Sequence, residues 1–240
     1  FLAGIAFKHR KEGFDWEKSR AVKEAVMGIR KGRAEEGMHA KQMEALSKPD
    51  LLRIMHTFED TLRDTRDRAI LLVGWIGAFR RSEVANLTVS DIKFIPLKGL
   101  KIRPKTSKTD QFGQNKGKLL PLMSDIDACP VHAVRAWLDA AKITSGPLFR
   151  RILADGTVGK SRINDKTVAL IAKSAVARVG LDPKLYAGHS LRSGFITAAV
   201  LDKVPINKIM DQSGHRSLEV MRGYIRDADD FENNAAKGMF

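Results

Sequence analysis

The sequence predicts a mainly α-helical fold carrying a small antiparallel β-sheet, an α+β arrangement. Three observations lead there. Apolar residues recur at helical spacing over much of the chain. Between Asp91 and Met123 the chain instead breaks into short β-compatible pieces punctuated by Gly and Pro. After that stretch helical periodicity returns, and the C-terminal third reads as all helical.

Taken in order, residues 19 to 36 place Val22, Val26 and Ile29 at helical spacing, with Arg20, Lys23, Arg30, Lys31 and Arg33 on the other faces, as in a basic amphipathic helix. A less regular stretch, Gly37 to Lys48, follows, and Ser47-Lys-Pro-Asp then starts a helix with Pro49 in its first turn. A domain boundary is expected in this region, giving units 1–42 and 43–240. Thr65 to Ile76 is apolar on most faces and predicts a buried central helix, with Ser82 as N-cap of a short helix through Leu87 after it. Strands are expected at Lys93 to Leu97, Leu100 to Arg103 and Lys118 to Met123, and helices at Val131 to Lys142 and Asp165 to Val179. In the last of these Val168, Ile171, Ala172, Ala175 and Val179 form one stripe before Gly180. Ser217 is placed to cap a helix whose apolar stripe is Leu218, Met221 and Ile225, with Tyr224 beside it.

Composition narrows the function classes. The chain has 42 Lys and Arg against 28 Asp and Glu, a net charge of +14, and such a surplus points toward a polyanion, with nucleic acid the leading partner. Its longest nearly unbroken apolar run, Ala69 to Phe79, is too short for the roughly 20 residues of a membrane-spanning helix, so no membrane partner is expected. Nothing at the start reads as a secretory signal, and because the chain opens on Phe1 rather than Met it is treated as a fragment. The single cysteine, Cys129, allows neither an internal disulfide nor a cysteine metal cluster; it fits a cytoplasmic setting and reads as a small buried residue.

Three clusters carry candidate chemistry, each with an ordinary structural alternative. Gly77-Ala-Phe-Arg-Arg-Ser-Glu-Val sets a charged turn into an apolar segment. Either Glu83 pairs with one guanidinium as a structural support, or Arg80 leaves the core to grip an oxyanion through its planar fork. The segment from Lys98 to Lys118 holds Lys101, Arg103, Lys105, Lys108 and Lys116, with Asp110 as its one acid, and reads either as a hairpin lying on a phosphate backbone or as a solvated loop. The third cluster is Gly188-His-Ser-Leu-Arg-Ser-Gly, followed by Ser213-Gly-His-Arg-Ser and Arg222-Gly-Tyr-Ile-Arg. Its His-x-x-Arg spacing puts two side chains on one helix face, a spacing that chance also produces. A zinc site is not expected, since the other histidines lie far away in sequence, and no cofactor is called for.

From about residue 40 to its end, the chain resembles the phage-integrase or tyrosine recombinase family in the order and spacing of these pieces. The family pattern Gly-Leu-Arg-x-Ser-Glu is matched by Ala78-Phe-Arg-Arg-Ser-Glu, which puts its catalytic arginine on Arg80. The hairpin lysine of a Lys-Thr-Asp turn falls on Lys108, His-x-x-Arg on His189 and Arg192, Gly-His on Gly214 and His215, and the nucleophile on Tyr224. Ser193 and Ser213 depart from the common pattern at positions that carry no chemistry in the family.

What the resemblance implies is attack of Tyr224 on a DNA phosphodiester, a 3′-phosphotyrosine link, and rejoining to a different strand, with no metal or nucleotide consumed. It gives Arg80, Arg192 and His215 to the phosphate oxygens, His189 to the tyrosine proton and Lys108 to the leaving oxygen. Residues 1–42 resemble the closing helices of the family's core-binding domain. The tail from Asp227 to Phe240 resembles one that docks on a neighbouring protomer, within a homotetramer on a double-stranded recombination site. Accessory DNA-bending or directionality factors and a nucleoid-associated location go with that reading. The alternatives are a DNA-binding protein on the same fold that does not cut and a type IB topoisomerase-like enzyme; retention of all six chemical residues opposes the first, and the integrase-like length and tail oppose the second. Tyr186, just before His189, is expected to serve packing.

Overall fold

The computed structural model describes residues 2–14, 19–36, 43–104, 117–215 and 217–229. The chain divides into two compact units, Phe1–Gln42 and Met43–Phe240. In the first lie two helices, α1 (Leu2–Lys11) and α2 (Arg20–Glu35). None of the helices among the described residues is long and apolar enough to cross a membrane.

The second unit is built around α4 (Leu62–Ile76), which is buried over Ala69–Ile76 as its apolar sequence requires. It begins three residues before the expected Thr65, because Thr61 accepts the Asp64 N–H at 3.1 Å and caps the helix there. Before it, α3 (Lys48–Met55) starts as anticipated: Ser47 Oγ accepts the Asp50 N–H at 3.2 Å and Pro49 sits in the first turn. After it come α5 (Arg81–Asn86) and a three-stranded antiparallel sheet, β1 (Ile92–Ile95), β2 (Gly99–Ile102) and β3 (Lys118–Pro121), with Ile92 opposite Ile102 and Leu100 opposite Leu120. The first strand ends at Ile95, short of the expected Leu97, because Leu97 adopts φ 59° in the turn and is almost fully exposed.

Next, α6 (Pro130–Ala140) packs along α4, and its Trp137 indole donates to the Leu148 carbonyl at 2.8 Å from within the core. A hairpin of β4 (Arg150–Ile152) and β5 (Val158–Arg162) follows, which the sequence reading did not anticipate. Its strand Val-Gly-Lys-Ser-Arg is largely exposed and offers no apolar alternation. Helix α7 (Asp165–Arg178) buries Val168, Ile171, Ala172 and Ala175, with Val179 half-buried at its end. The chain closes with α8 (Gly188–Leu201), α9 (Ile206–Ser213) and α10 (Leu218–Asp229).

In α10 the expected stripe is only partly realised. Met221 is fully buried among Ile196, Ala199 and Ile209, whereas Leu218, the first residue of the helix, is mostly exposed. Ser217 does act at the start, accepting the Glu219 N–H at 3.2 Å. Tyr186 is buried against the main core, and burial with a hydrogen bond to Glu44 pushes its phenol up to about 12. Cys129 is buried as expected.

The segment before α3 is stitched onto α8. Leu46 N–H donates to the Ser190 carbonyl at 2.9 Å, and the Trp75 indole donates to the Leu46 carbonyl at 2.9 Å. That close approach explains Gly194, where a Cβ would drive into the Leu46 carbonyl oxygen and the Trp75 ring nitrogen. Gly194→Ala is therefore expected to lower stability by about 1–3 kcal/mol, the usual cost of forcing a methyl into a filled core. Chemical denaturation measures it, and a substitution without effect on the midpoint would contradict this packing.

Candidate active site

Four elements converge on one end of α4. The helix closes at Ile76, Gly77 turns, and Ala78 takes φ 45°, a left-handed conformation that a non-glycine residue rarely holds. A side chain at Gly77 would overlap the Phe79 ring, which is itself buried, so the turn accepts little variation. Arg80 follows as the N-cap of α5 in place of the expected Ser82. The difference arises because Glu83 reaches back, its Oε2 accepting the Arg80 backbone N–H at 2.9 Å.

The ion pair of the first reading is present in the structure. Glu83 Oε1 accepts from Arg80 Nη1 at 2.7 Å, so the carboxylate fixes the arginine through backbone and side chain together. The Arg80 side chain nevertheless keeps 40% of its surface exposed, enough for the rest of its fork to meet an anion.

Helix α8 supplies His189 and Arg192. Spaced by three, they leave the helix on one face, but at different depths: His189 is exposed and Arg192 is 1% exposed. The Arg192 guanidinium donates through Nη1 to the Ala78 carbonyl at 2.7 Å and through Nη2 to His215 Nε2 at 2.9 Å. Burial, then the charge of Arg80, lowers its pKa to about 10. Among the described residues no ion pair involves Arg192.

His215 lies just past α9, where Gly214 adopts φ 73° as the left-handed helix stop. An arginine can only donate, so His215 Nε2 must be the acceptor and the ring proton sits on Nδ1. Ser213 Oγ, buried and 3.0 Å from Nδ1, receives that proton and passes its own toward the Met210 carbonyl at 3.4 Å. Burial comes first in lowering the His215 pKa to about 4, followed by the charges of Arg192 and Arg80. Ser213 thus has a positioning task that its departure from the family pattern did not suggest.

Tyr224, on α10, completes the group. Its hydroxyl lies 3.1 Å from His189 Nε2, and its ring centroid is 6.0 Å from that of His215. Although His189 is exposed, desolvation of its inner side and then the charges of Arg192 and Arg80 hold its pKa below the ordinary histidine value. A neutral imidazole at this distance is able to accept the phenolic proton.

The structure therefore brings Arg80, Glu83, His189, Arg192, His215 and Tyr224 together. Of the predicted basic hairpin residues, Lys101 and Arg103 lie on or just after β2, half-buried and exposed respectively, while Lys105, Lys108 and Lys116 lie outside the described residues. One member of the same run behaves differently: Lys118 is buried beside the turn at Gly77 and Ala78. In the sequence it reads as one more cation of the basic run. The signal that could have found it is strand alternation, which puts Lys118 and Leu120 on the same inward face of β3.

Comparison with known proteins places the family and the fold. The model of the phage integrase family matches residues 44–230. The integrase/recombinase xerD homolog of Selenomonas ruminantium is 38% identical over 182 residues, covering 76% of this chain and 53% of that protein. The chain thus spans about half the length of that curated relative. Among solved structures, XerH site-specific recombinase bound to palindromic difH substrate aligns with a TM-score of 0.62 at 16% identity, over 83% of this chain and 54% of that one. XerA recombinase aligns with a TM-score of 0.56 at 18% identity, over 92% and 74%. At such identities these two structures show the fold.

His215 is expected to keep the Nδ1–H tautomer and to stay neutral until the pH approaches about 4. Nitrogen-15 NMR of the imidazole reads both; titration near the ordinary histidine value of about 6.5 would refute the electrostatic account. Because the folded pKa is depressed, the unfolded chain takes up this proton first. Stability linked to His215 is then intact above about 6.5 and falls as pH drops toward about 4. Ser213→Ala should leave the tautomer that Arg192 imposes unchanged but strip Nδ1–H of its acceptor, at a cost of about 1 kcal/mol, the value of one hydrogen bond.

Proposed function

The chain belongs to the phage integrase family, and from that premise we propose that it is a site-specific DNA recombinase that cuts and rejoins strands through a 3′-phosphotyrosine intermediate. The observation that carries this reading is the 3.1 Å hydrogen bond between Tyr224 and His189, set beside a buried guanidinium that no carboxylate among the described residues pairs with.

In the proposed step the Tyr224 oxygen bonds to phosphorus as the bond from phosphorus to the 5′-oxygen breaks. A phenol has a pKa of about 10, so it arrives protonated, and His189 is the group within reach to take the proton. Arg80 and Arg192 face the charge that gathers on the non-bridging oxygens. In the free site Arg192 occupies the His215 Nε2 lone pair, so that nitrogen has no proton to give. A phosphate between the guanidiniums opposes the charges that add to burial in depressing His215, and once Arg192 Nη2 turns from Nε2 to the phosphate, that nitrogen takes up a proton and donates to a non-bridging oxygen. Lys108 is assigned the proton for the departing 5′-oxygen on the family resemblance. The covalent link conserves the energy of the phosphodiester, and a 5′-hydroxyl of another strand reverses the sequence.

The substrate in this proposal is double-stranded DNA with a specific recombination site, in keeping with the net charge of +14 and the basic residues Lys101, Arg103, Lys105 and Lys116. XerH site-specific recombinase is seen bound to its palindromic difH substrate, which supports a DNA partner here. A homotetramer on DNA, residues 1–42 as part of a clamp on the opposite face of the duplex, accessory bending or directionality factors, and work at the nucleoid in the cytoplasm complete the proposal.

A pool of nicked duplexes of random sequence, each releasing a short fragment on cleavage so that religation is blocked, tests it. The full-length protein should capture a covalent adduct on a defined sequence subset, and Tyr224→Phe should abolish it. Lack of any adduct would leave only a non-cleaving DNA-binding protein. An adduct that relaxes supercoiled plasmid without exchanging strands would point to a topoisomerase.

A further inference from the structure

We propose that Lys118 is a positioning residue for the arginine clamp: together with Arg192 it holds the turn at Gly77 and Ala78, and through that turn sets Arg80 against the scissile phosphate. The inference rests on the reading of Arg80 and Arg192 as phosphate ligands.

The geometry starts with the end of α4, whose last carbonyls have no partner within the helix and carry the negative end of its dipole. Three successive carbonyls are each met by a side chain from elsewhere. Gln212 Nε2, from α9, donates to Ile76 O at 2.9 Å and also to Leu119 O of β3 at 3.2 Å. Lys118 Nζ donates to Gly77 O at 2.7 Å and to Ala78 O at 3.1 Å. Arg192 Nη1 shares Ala78 O at 2.7 Å. The ammonium also stands 4.1 Å from the centre of the Phe79 ring, so the side chain spans the turn from one carbonyl to the aromatic residue just before Arg80.

This turn needs holding. The family pattern has glycine where this chain has Ala78, and at φ 45° an alanine carries backbone strain that glycine would not. Lys118 itself sits on the inward face of β3, a position that an aliphatic residue would fill without desolvating a charge. A buried ammonium placed among the cations Arg80 and Arg192 is costly, and its hydrogen bonds define what that cost secures.

Four charged or titratable groups face it: Glu83 from α5, Arg80 before it, Arg192 from α8 and His215 after α9. Burial lowers its pKa to about 7; Glu83 opposes this, and Arg192 and Arg80 add to it. Neutral Lys118 keeps only two N–H donors for two carbonyls and loses its attraction for the ring and the helix end. Phosphate in the clamp favours the charged form, so DNA binding and the set of the turn reinforce one another. Because Lys118 opens the strand that follows the basic hairpin, seating of that strand is linked to the aim of Arg80.

The test compares Lys118→Met and Lys118→Arg in the full-length protein. Under single-turnover conditions Lys118→Met should slow adduct formation roughly 100-fold, the scale of a small misplacement of a reacting group, with little change in half-saturating DNA. Wild-type cleavage should fall on the alkaline side as Lys118 loses its proton. Lys118→Arg should recover most of the rate and lose that alkaline fall, since guanidinium stays charged. Orthovanadate binding, read from the Arg80 side-chain NMR signal, should weaken at least about tenfold in Lys118→Met. Equal rates and equal vanadate affinity in wild type and Lys118→Met would overturn the proposal, as would a Lys118→Arg variant as slow as Lys118→Met with the pH profile unchanged. If wild type forms no DNA adduct yet binds vanadate in a Lys118-dependent way, the recombinase reading fails and the positioning role stands.

Discussion

Everything at this site depends on gathering positive charge around, among the described residues, a single nearby acid. Arg80, Arg192 and Lys118 lie within mutual electrostatic reach of His189 and His215, and Glu83 is the carboxylate that opposes them. The free protein answers this repulsion in two ways. It keeps the two histidines neutral, and it turns the buried cations toward neutral acceptors: the carbonyls of Gly77 and Ala78 and the ring of His215. Such an arrangement is incomplete without an anion. In the proposed function a phosphodiester between the guanidiniums supplies the missing charge, so that the tension in the free site and the affinity of the occupied one would have the same origin.

The fold is arranged to make that concentration of charge possible. Helix α4 delivers a dipole end whose carbonyls attract cations, α8 brings Arg192 beneath it, α9 brings Gln212 and the Ser213–His215 pair, and β3 brings Lys118. Each contributes a donor to the same few backbone oxygens. The close approach of Leu46 to Gly194 and Trp75 fastens α8 to α4 and to the segment before α3, which limits how far Arg192 can shift from the turn. In the proposed function this rigidity serves the chemistry, because a planar guanidinium fork matches phosphate geometry when it is held in place.

How much of this was written in the sequence depended on the kind of signal. Helices with a stripe and a capping residue, such as those begun by Ser47 and ending at Gly180, were legible because cap and period agree. The six candidate chemical residues stand out in the sequence only as a spaced set; the structure brings Arg80, His189, Arg192, His215 and Tyr224 together, and Lys108 lies outside the described residues. Ser82 as an N-cap was a sound local guess that lost to Glu83, which stabilises a start two residues earlier from within the helix. The hairpin of β4 and β5 was illegible because an exposed two-stranded ribbon needs no alternation.

Ser213 and Lys118 were missed for a more instructive reason. Neither belongs to the reacting set, and each was masked by a stronger pattern: a run of cations in one case, a family motif with a different residue in the other. Their importance shows only when donors and acceptors are matched atom by atom. Arg192 forces His215 to accept, His215 then requires an acceptor for Nδ1–H, and Ser213 is the residue that provides it. Likewise the strained alanine turn presents two carbonyls, of which Arg192 meets only that of Ala78; Lys118, with more than one proton to give, meets Gly77 and shares Ala78, where an aliphatic residue would leave the Gly77 oxygen unpaired. The supporting residues of the proposed phosphate-transfer site thus follow from the hydrogen-bond obligations of the residues they hold. They can differ between relatives while those obligations persist.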